Sequence, residues 1–208
     1  MIEKLSIPAF IFKPVNTKNT TVERIKRQDN VLEIEFPVFE KNDVLSFAKE
    51  LSMQKYRAHD RPIEELIEIM DQVGKLWLDH NYEFRKEAME VIPMITGQSR
   101  TLCELELDGS IQLFGRRPIE TFLNNEIGGK QYLEKWVTRG NIKLHAQPRG
   151  VLYHNLAGNT FNVGLVSLFY GLISKNVNFI KLPHEEPYFA VRLAQSLEIG
   201  RASCRERV

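Results

Sequence analysis

PRGVLYHNLAGNTFNVGLVSLFYGLISKNVNFIKLPHEEPYFAVRLAQSL, residues 148–197, is the stretch from which the fold can be read. After the turn Pro148-Arg149-Gly150, Val151–Asn155 reads as a strand and the small, polar residues that follow as a loop. Phe161–Ile173 is a buried helix, Val177–Leu182 a buried strand and Pro187–Leu197 an amphipathic helix. The order βαβα predicts parallel strands joined by a helix, in an α/β fold, and such crossovers are right-handed. Open sheets of this kind bind ligands outside the carboxyl ends of their strands. The expected site therefore lies where Asn155-Leu156-Ala157-Gly158-Asn159 leaves the first strand and Lys181 closes the second.

Upstream, the period changes. Ile142, Leu144 and Ala146 alternate with Lys143, His145 and Gln147, so the β-rich, cofactor-type segment is expected to start at residue 141. Between residues 41 and 140 the pattern is mainly helical. Ile63, Leu66, Ile67, Met70, Val73 and Trp77 recur at helical spacing, with Asp60 as the expected cap and Pro62 in the first turn. Tyr82–Ile95 continues with Ala88, Met89, Ile92 and Ile95 on one side, and Pro93 is expected to break or kink it. A further helix is expected over Ser99–Leu107. Both tryptophans, Trp77 and Trp136, are expected in the core. Residues 1–40 read as β-rich: Ala9–Lys13 and Val31–Phe36 are short β-type runs expected to pair as an antiparallel ribbon.

Ile199-Gly-Arg-Ala-Ser-Cys-Arg-Glu-Arg-Val208 matches an in-frame translation of a common sequencing adapter, and Glu198 is compatible with its junction. Residues 198–208 are therefore expected to be a non-native tail on a truncated gene product.

The 208 residues carry a net charge of +1 at pH 7 and 43% hydrophobic residues, enough for a sizeable core. Lys and Arg are interspersed with Asp and Glu, so no field gathers nucleic acid or an anionic membrane. With no signal-peptide core and no apolar run of the roughly 20 residues that span a bilayer, a cytoplasmic location is expected. Cys103 is the one cysteine outside the tail, so no disulfide framework is expected; it reads as a buried structural thiol. His59, His80, His145, His154 and His184 show no metal-ligand spacing, and no metal is expected. His154, beside an apolar strand, reads as a satisfied structural group.

Neither Gly-x-Gly-x-x-Gly nor Gly-x-x-x-x-Gly-Lys-Ser/Thr occurs, so any nucleotide is held in another way. Pro148-x-Gly150, Leu156-Ala157-Gly158-Asn159, Phe179-Ile180-Lys181 and Pro187 together resemble the LuxC family of acyl-CoA reductases, in the aldehyde dehydrogenase superfamily. Val73-Gly74-x-x-Trp77 and Asn125-Glu126-Ile127-Gly128 extend the resemblance over most of residues 61–197. It implies an aldehyde-dehydrogenase-type sheet and NADPH-dependent reduction of a fatty acyl-CoA to a fatty aldehyde. Asn159, which taken alone reads as a helix cap, would donate its amide to the carbonyl oxygen of the reacting group. Lys181, otherwise a solvated edge charge, would hold the adenosine ribose of the cofactor, with Asn155, Leu156, Ala157, Gly158, Pro183 and His184 lining the same site.

Many NAD-using relatives carry a Glu three residues after that lysine. His184 stands here, followed by Glu185 and Glu186, and the missing acid leaves room for a 2′-phosphate, favouring NADPH. The resemblance further implies that the nucleophilic cysteine lies downstream of these residues and that the partners are an acyl-protein synthetase and an acyl transferase. Two alternatives stay open: a reductase of the same superfamily acting on another acyl thioester or an acyl phosphate, and a non-catalytic interaction subunit.

Overall fold

The computed structural model describes residues 2–11, 13–14, 19–158 and 160–205, with the side chains of 10, 11, 13, 14 and 203–205 left aside. The chain opens with β1 (Lys4–Ser6), β2 (Phe10–Ile11), β3 (Lys13–Pro14), β4 (Thr20–Arg27) and β5 (Asn30–Pro37). β5 lies between β1, parallel to it, and β4, antiparallel to it. Leu32 and Ile34 are fully buried while Glu33 and Glu35 lie on the other face, as the alternation predicts. Among the described residues the expected pairing of Ala9–Lys13 with this strand is not seen: β2 pairs with β3, and β5 has β1 and β4 on its two sides.

Five helices follow. α1 (Lys41–Asp60) ends at the residue expected to cap the next helix, and Pro62 occupies the cap position of α2 (Ile63–Leu78). α3 (Glu83–Thr96) is one helix that includes Pro93 and is not broken there. The proline lies in the last turn, where the ring costs a single helical hydrogen bond, and Gly97 closes the helix at φ 75°, donating its amide to the Pro93 carbonyl. α4 (Arg100–Ile111) begins at Ser99, whose Oγ accepts from the Leu102 amide. α5 (Arg116–Phe122) leads into a wider turn, Leu123–Ile127, ended by Gly128.

A two-stranded hairpin, β6 (Val137–Arg139) with β7 (Ile142–Leu144), stands apart from the parallel sheet that follows. Trp136, just before it, is 65% exposed and is not a core residue. Its ring meets His145 edge-on across the end of the hairpin.

β8 (Val151–Asn155) and β9 (Val177–Lys181) are parallel, joined through α6 (Val163–Ile173), and α7 (Phe189–Arg205) follows β9. α6 packs on the sheet and on α7, α2 and α4, so the helical layer and the strands share one core. Trp77 is its largest fully buried side chain; it lies edge-on to Phe189 and donates from Nε1 to Ser196 Oγ at 2.9 Å. Arg85 is buried at the start of α3 and donates to the Trp77 carbonyl and to Asp108. Tyr188, Phe189, Leu193 and Ser196 anchor α7, which continues past Leu197, with Gly200 lying against the Ile69 carbonyl of α2.

Candidate functional site

The two parallel strands end together. Asn155 is the register partner of Lys181, and the Leu156 amide donates to the Lys181 carbonyl at 3.2 Å, which ties the loop after β8 to the end of β9. Asn155, Ala157 and Lys181 are exposed along this edge, while Leu156 and Pro183 are buried beneath it. Asn155, Leu156, Ala157, Gly158, Lys181 and Pro183 thus gather at the carboxyl edge of the sheet. Asn159 lies outside the described residues.

Beyond it the chain is fixed by side chains. Thr160 Oγ1 donates to Asn162 Oδ1, and Asn162 Nδ2 donates to Ser110 Oγ on α4. The cap position of α6 belongs to Asn162. The loop between β8 and α6 is therefore fastened at both ends, by Leu156 to β9 and by Asn162 to α4.

His154, one residue before this edge, has both ring nitrogens engaged: Nδ1 with Ser167 Oγ of α6 at 2.7 Å and Nε2 with Asn178 Oδ1 of β9 at 3.0 Å. It links helix and strands as a structural group. Asn178 reaches this position because α6 carries Gly171, where a Cβ would overlap the Asn178 amide.

In the loop after β9 the side chains diverge. His184 turns toward the amino-terminal sheet, with Nε2 3.6 Å from Glu23 Oε2 on β4 and its ring edge-on to Phe36 on β5. Glu185 turns the other way, against Gly158: a Cβ on that glycine would lie 2.7 Å from Glu185 Oε2. Glu186 is buried and accepts the Tyr188 and Phe189 amides at 3.1 and 2.7 Å, capping α7. Burial pushes its carboxyl up to about 7 against the opposing pull of those two amides. The sequence reading singled out His184 but assigned no role to Glu185 or Glu186. The one signal for the cap was an acidic residue followed by Pro187 ahead of an apolar helix.

Cys103 is buried in α4 near Thr96 and Gln98, and burial raises its thiol above the ordinary range, which keeps it a poor nucleophile. Among the described residues no group of three or more His, Cys, Asp or Glu is placed to hold a metal ion, and no helix is long and apolar enough to cross a membrane.

The family model for acyl-CoA reductase (LuxC) matches residues 58–203. Among relatives, the long-chain acyl-protein thioester reductase of Photobacterium phosphoreum is 25% identical over 168 residues, covering 80% of this chain and 33% of that protein. The protein of the same name from Aliivibrio fischeri is 27% identical over 135 residues, 64% of this chain and 28% of its own length. The chain thus spans about a third of the length of these relatives.

Solved structures share the fold. A salicylaldehyde dehydrogenase from Pseudomonas putida G7 superposes with a TM-score of 0.72 at 13% identity, over 95% of this chain and 40% of that one. An NAD-dependent benzaldehyde dehydrogenase from Corynebacterium glutamicum superposes with a TM-score of 0.68 at 16% identity, over 90% and 40%. The parallel sheet with its helical layer is therefore part of an aldehyde-dehydrogenase fold, and the chain belongs to the LuxC family of acyl-CoA reductases.

Proposed function

We propose that this chain is part of a cytoplasmic reductase that converts a fatty acyl-CoA thioester to the fatty aldehyde with NADPH. The observation that carries the reading is the convergence of Asn155–Gly158 and Lys181 at the carboxyl edge of β8 and β9, in a chain of the LuxC family. Exposed Lys181 and Asn155 beside a loop of small residues fit an adenosine ribose lying across the two strand ends. NADPH, when bound, supplies the hydride. The preference for NADPH over NADH rests on His184 standing where an acid is usual.

Asn159 would donate its side-chain amide to the carbonyl oxygen as negative charge develops there, an oxyanion-hole role. The nucleophilic cysteine would come from residues beyond this segment: its thiolate would attack the thioester carbonyl and displace the CoA thiolate, and the hydride that NADPH would supply to the acyl carbon would free the aldehyde and the enzyme thiolate. An acyl-protein synthetase and an acyl transferase would be the protein partners.

The test is to sequence the native gene onward across the Leu197 codon, express the complete frame and assay NADPH oxidation that depends on long-chain acyl-CoA. Aldehyde formation is expected, with Asn159→Ala lowering kcat by about 10²–10³-fold. A complete protein that reduces no acyl thioester would overturn the reading.

A further inference from the structure

We propose that Ser110 and Asn162 are positioning residues for the loop between β8 and α6, which they tether to α4 through a one-way chain of hydrogen bonds. The inference rests on reading that loop as the one that receives the acyl carbonyl, with Asn159 as donor to its oxygen. Thr160 follows Asn159 directly in the chain, so what fixes Thr160 acts one residue from the proposed donor.

The chain of bonds runs from the loop to helix backbone. Thr160 Oγ1 donates to Asn162 Oδ1 at 2.8 Å, Asn162 Nδ2 donates to Ser110 Oγ at 2.9 Å, and Ser110 Oγ donates to the Glu106 carbonyl at 2.7 Å. Each hydroxyl directs its one proton along the chain, and the asparagine uses its carbonyl at one end and its amide at the other. Glu106 and Ser110 lie one turn apart on α4, so the tether ends on a carbonyl of that helix.

Asn162 departs from what its position calls for. At the cap of a helix an asparagine ordinarily accepts from an amide of the first turn, yet here its side chain makes no such bond. Its backbone carbonyl accepts the Leu165 amide at 3.0 Å, while its side chain goes to Thr160 and Ser110. Phe161, between the two tethered residues, is 1% exposed, with its ring edge-on to Phe189 at 5.2 Å. A donor to a developing oxyanion works best when it is held in place before the reaction, and a displacement of about 1 Å can cost on the order of 10²-fold.

The tether is tested on the 208-residue chain by NMR order parameters of the Gly158 and Thr160 amides. Wild type should give about 0.85, and Ser110→Ala and Thr160→Val should each bring the values down toward about 0.6. Alanine suits a helix better than serine, so α4 is expected to persist. In the complete frame each variant should lower kcat by about tenfold, the rate equivalent of one hydrogen bond, with KM for acyl-CoA and NADPH within about twofold. The double variant should lose about the same tenfold, because both links act through Asn162. Thr160→Ser, which keeps the hydroxyl, should match wild type. Order parameters unchanged by either variant, or losses that multiply to about a hundredfold, overturn the relay. A loosened loop with unchanged kcat overturns the positioning role and leaves the proposed reaction standing. A complete wild type that reduces no acyl thioester overturns the proposed reaction and this role with it, while the order parameters still decide whether the tether exists.

Discussion

Glu186→Gln should make the stability of this chain less dependent on pH. Glu186 is 4% exposed, and the partners of its carboxyl are two backbone amides rather than a cation. Burial raises it from its ordinary 4.5 to about 7 in the folded state. A raised acid holds its proton more tightly when folded. Its contribution is therefore complete below pH 4.5, where both states are protonated, and is lost as pH rises to about 7. At 1.36 kcal/mol per pH unit, that interval corresponds to about 3 kcal/mol. A glutamine at this position does not ionise, and its carbonyl oxygen can accept the same two amides. Any fixed penalty from its buried NH2 is the same at every pH and cancels when two pH values are compared.

The measurement is urea unfolding of wild type and Glu186→Gln between pH 4.5 and 8, followed by the fluorescence of buried Trp77. The difference in unfolding free energy should move by about 3 kcal/mol in favour of the variant across that range. All other titrating groups are common to both proteins and drop out. Parallel profiles, within about 0.5 kcal/mol, would refute the reasoning. They would mean that the positive end of α7 and the two amides offset burial and keep the carboxyl at its ordinary value.

Ser196→Ala should cost about 1–3 kcal/mol in the same unfolding assay, because it strands the buried Trp77 indole N–H that now reaches Ser196 Oγ. A loss under about 0.5 kcal/mol would show that the indole finds another acceptor. Ending the chain at Leu197 tests how much the last turns of α7 contribute: with Tyr188, Phe189, Leu193 and Ser196 retained, unfolding should stay cooperative and within about 1 kcal/mol of the full chain. A much larger loss would show that the packing of Gly200 on α2 carries weight.

The second half of the chain was legible because its helices are apolar and its strands are continuous β-type runs, although β9 is half-buried and not the buried strand expected, since β8 is its one partner strand among the described residues. The apolar runs around α6 and β9 admit few alternatives, and the Asn155–Lys181 edge follows from strand order alone. β4 was missed for a physical reason. Thr20–Arg27 has only Val22 and Ile25 as large apolar residues, and its ladder with β5, not burial, makes it a strand. Pro93 misled because the cost of proline depends on its distance from the helix end, which the sequence leaves open. Trp136 misled because it flanks a hairpin set outside the core. At the site, the places of Asn155 and Lys181 were readable, whereas the opposite turns of His184 and Glu185 depend on β4, β5 and Gly158, remote in sequence.

The contact between Gly171 and Asn178 constrains how this family can drift. The amide that fills the missing Cβ of α6 is the same one that meets His154 Nε2. A side chain gained at 171 evicts the amide at 178, and eviction leaves the imidazole without its acceptor. The three positions, on β8, α6 and β9, form one inheritance unit. Across related sequences they should be exchanged together, and lineages carrying a single exchange should be rare because each intermediate step is less stable than either end.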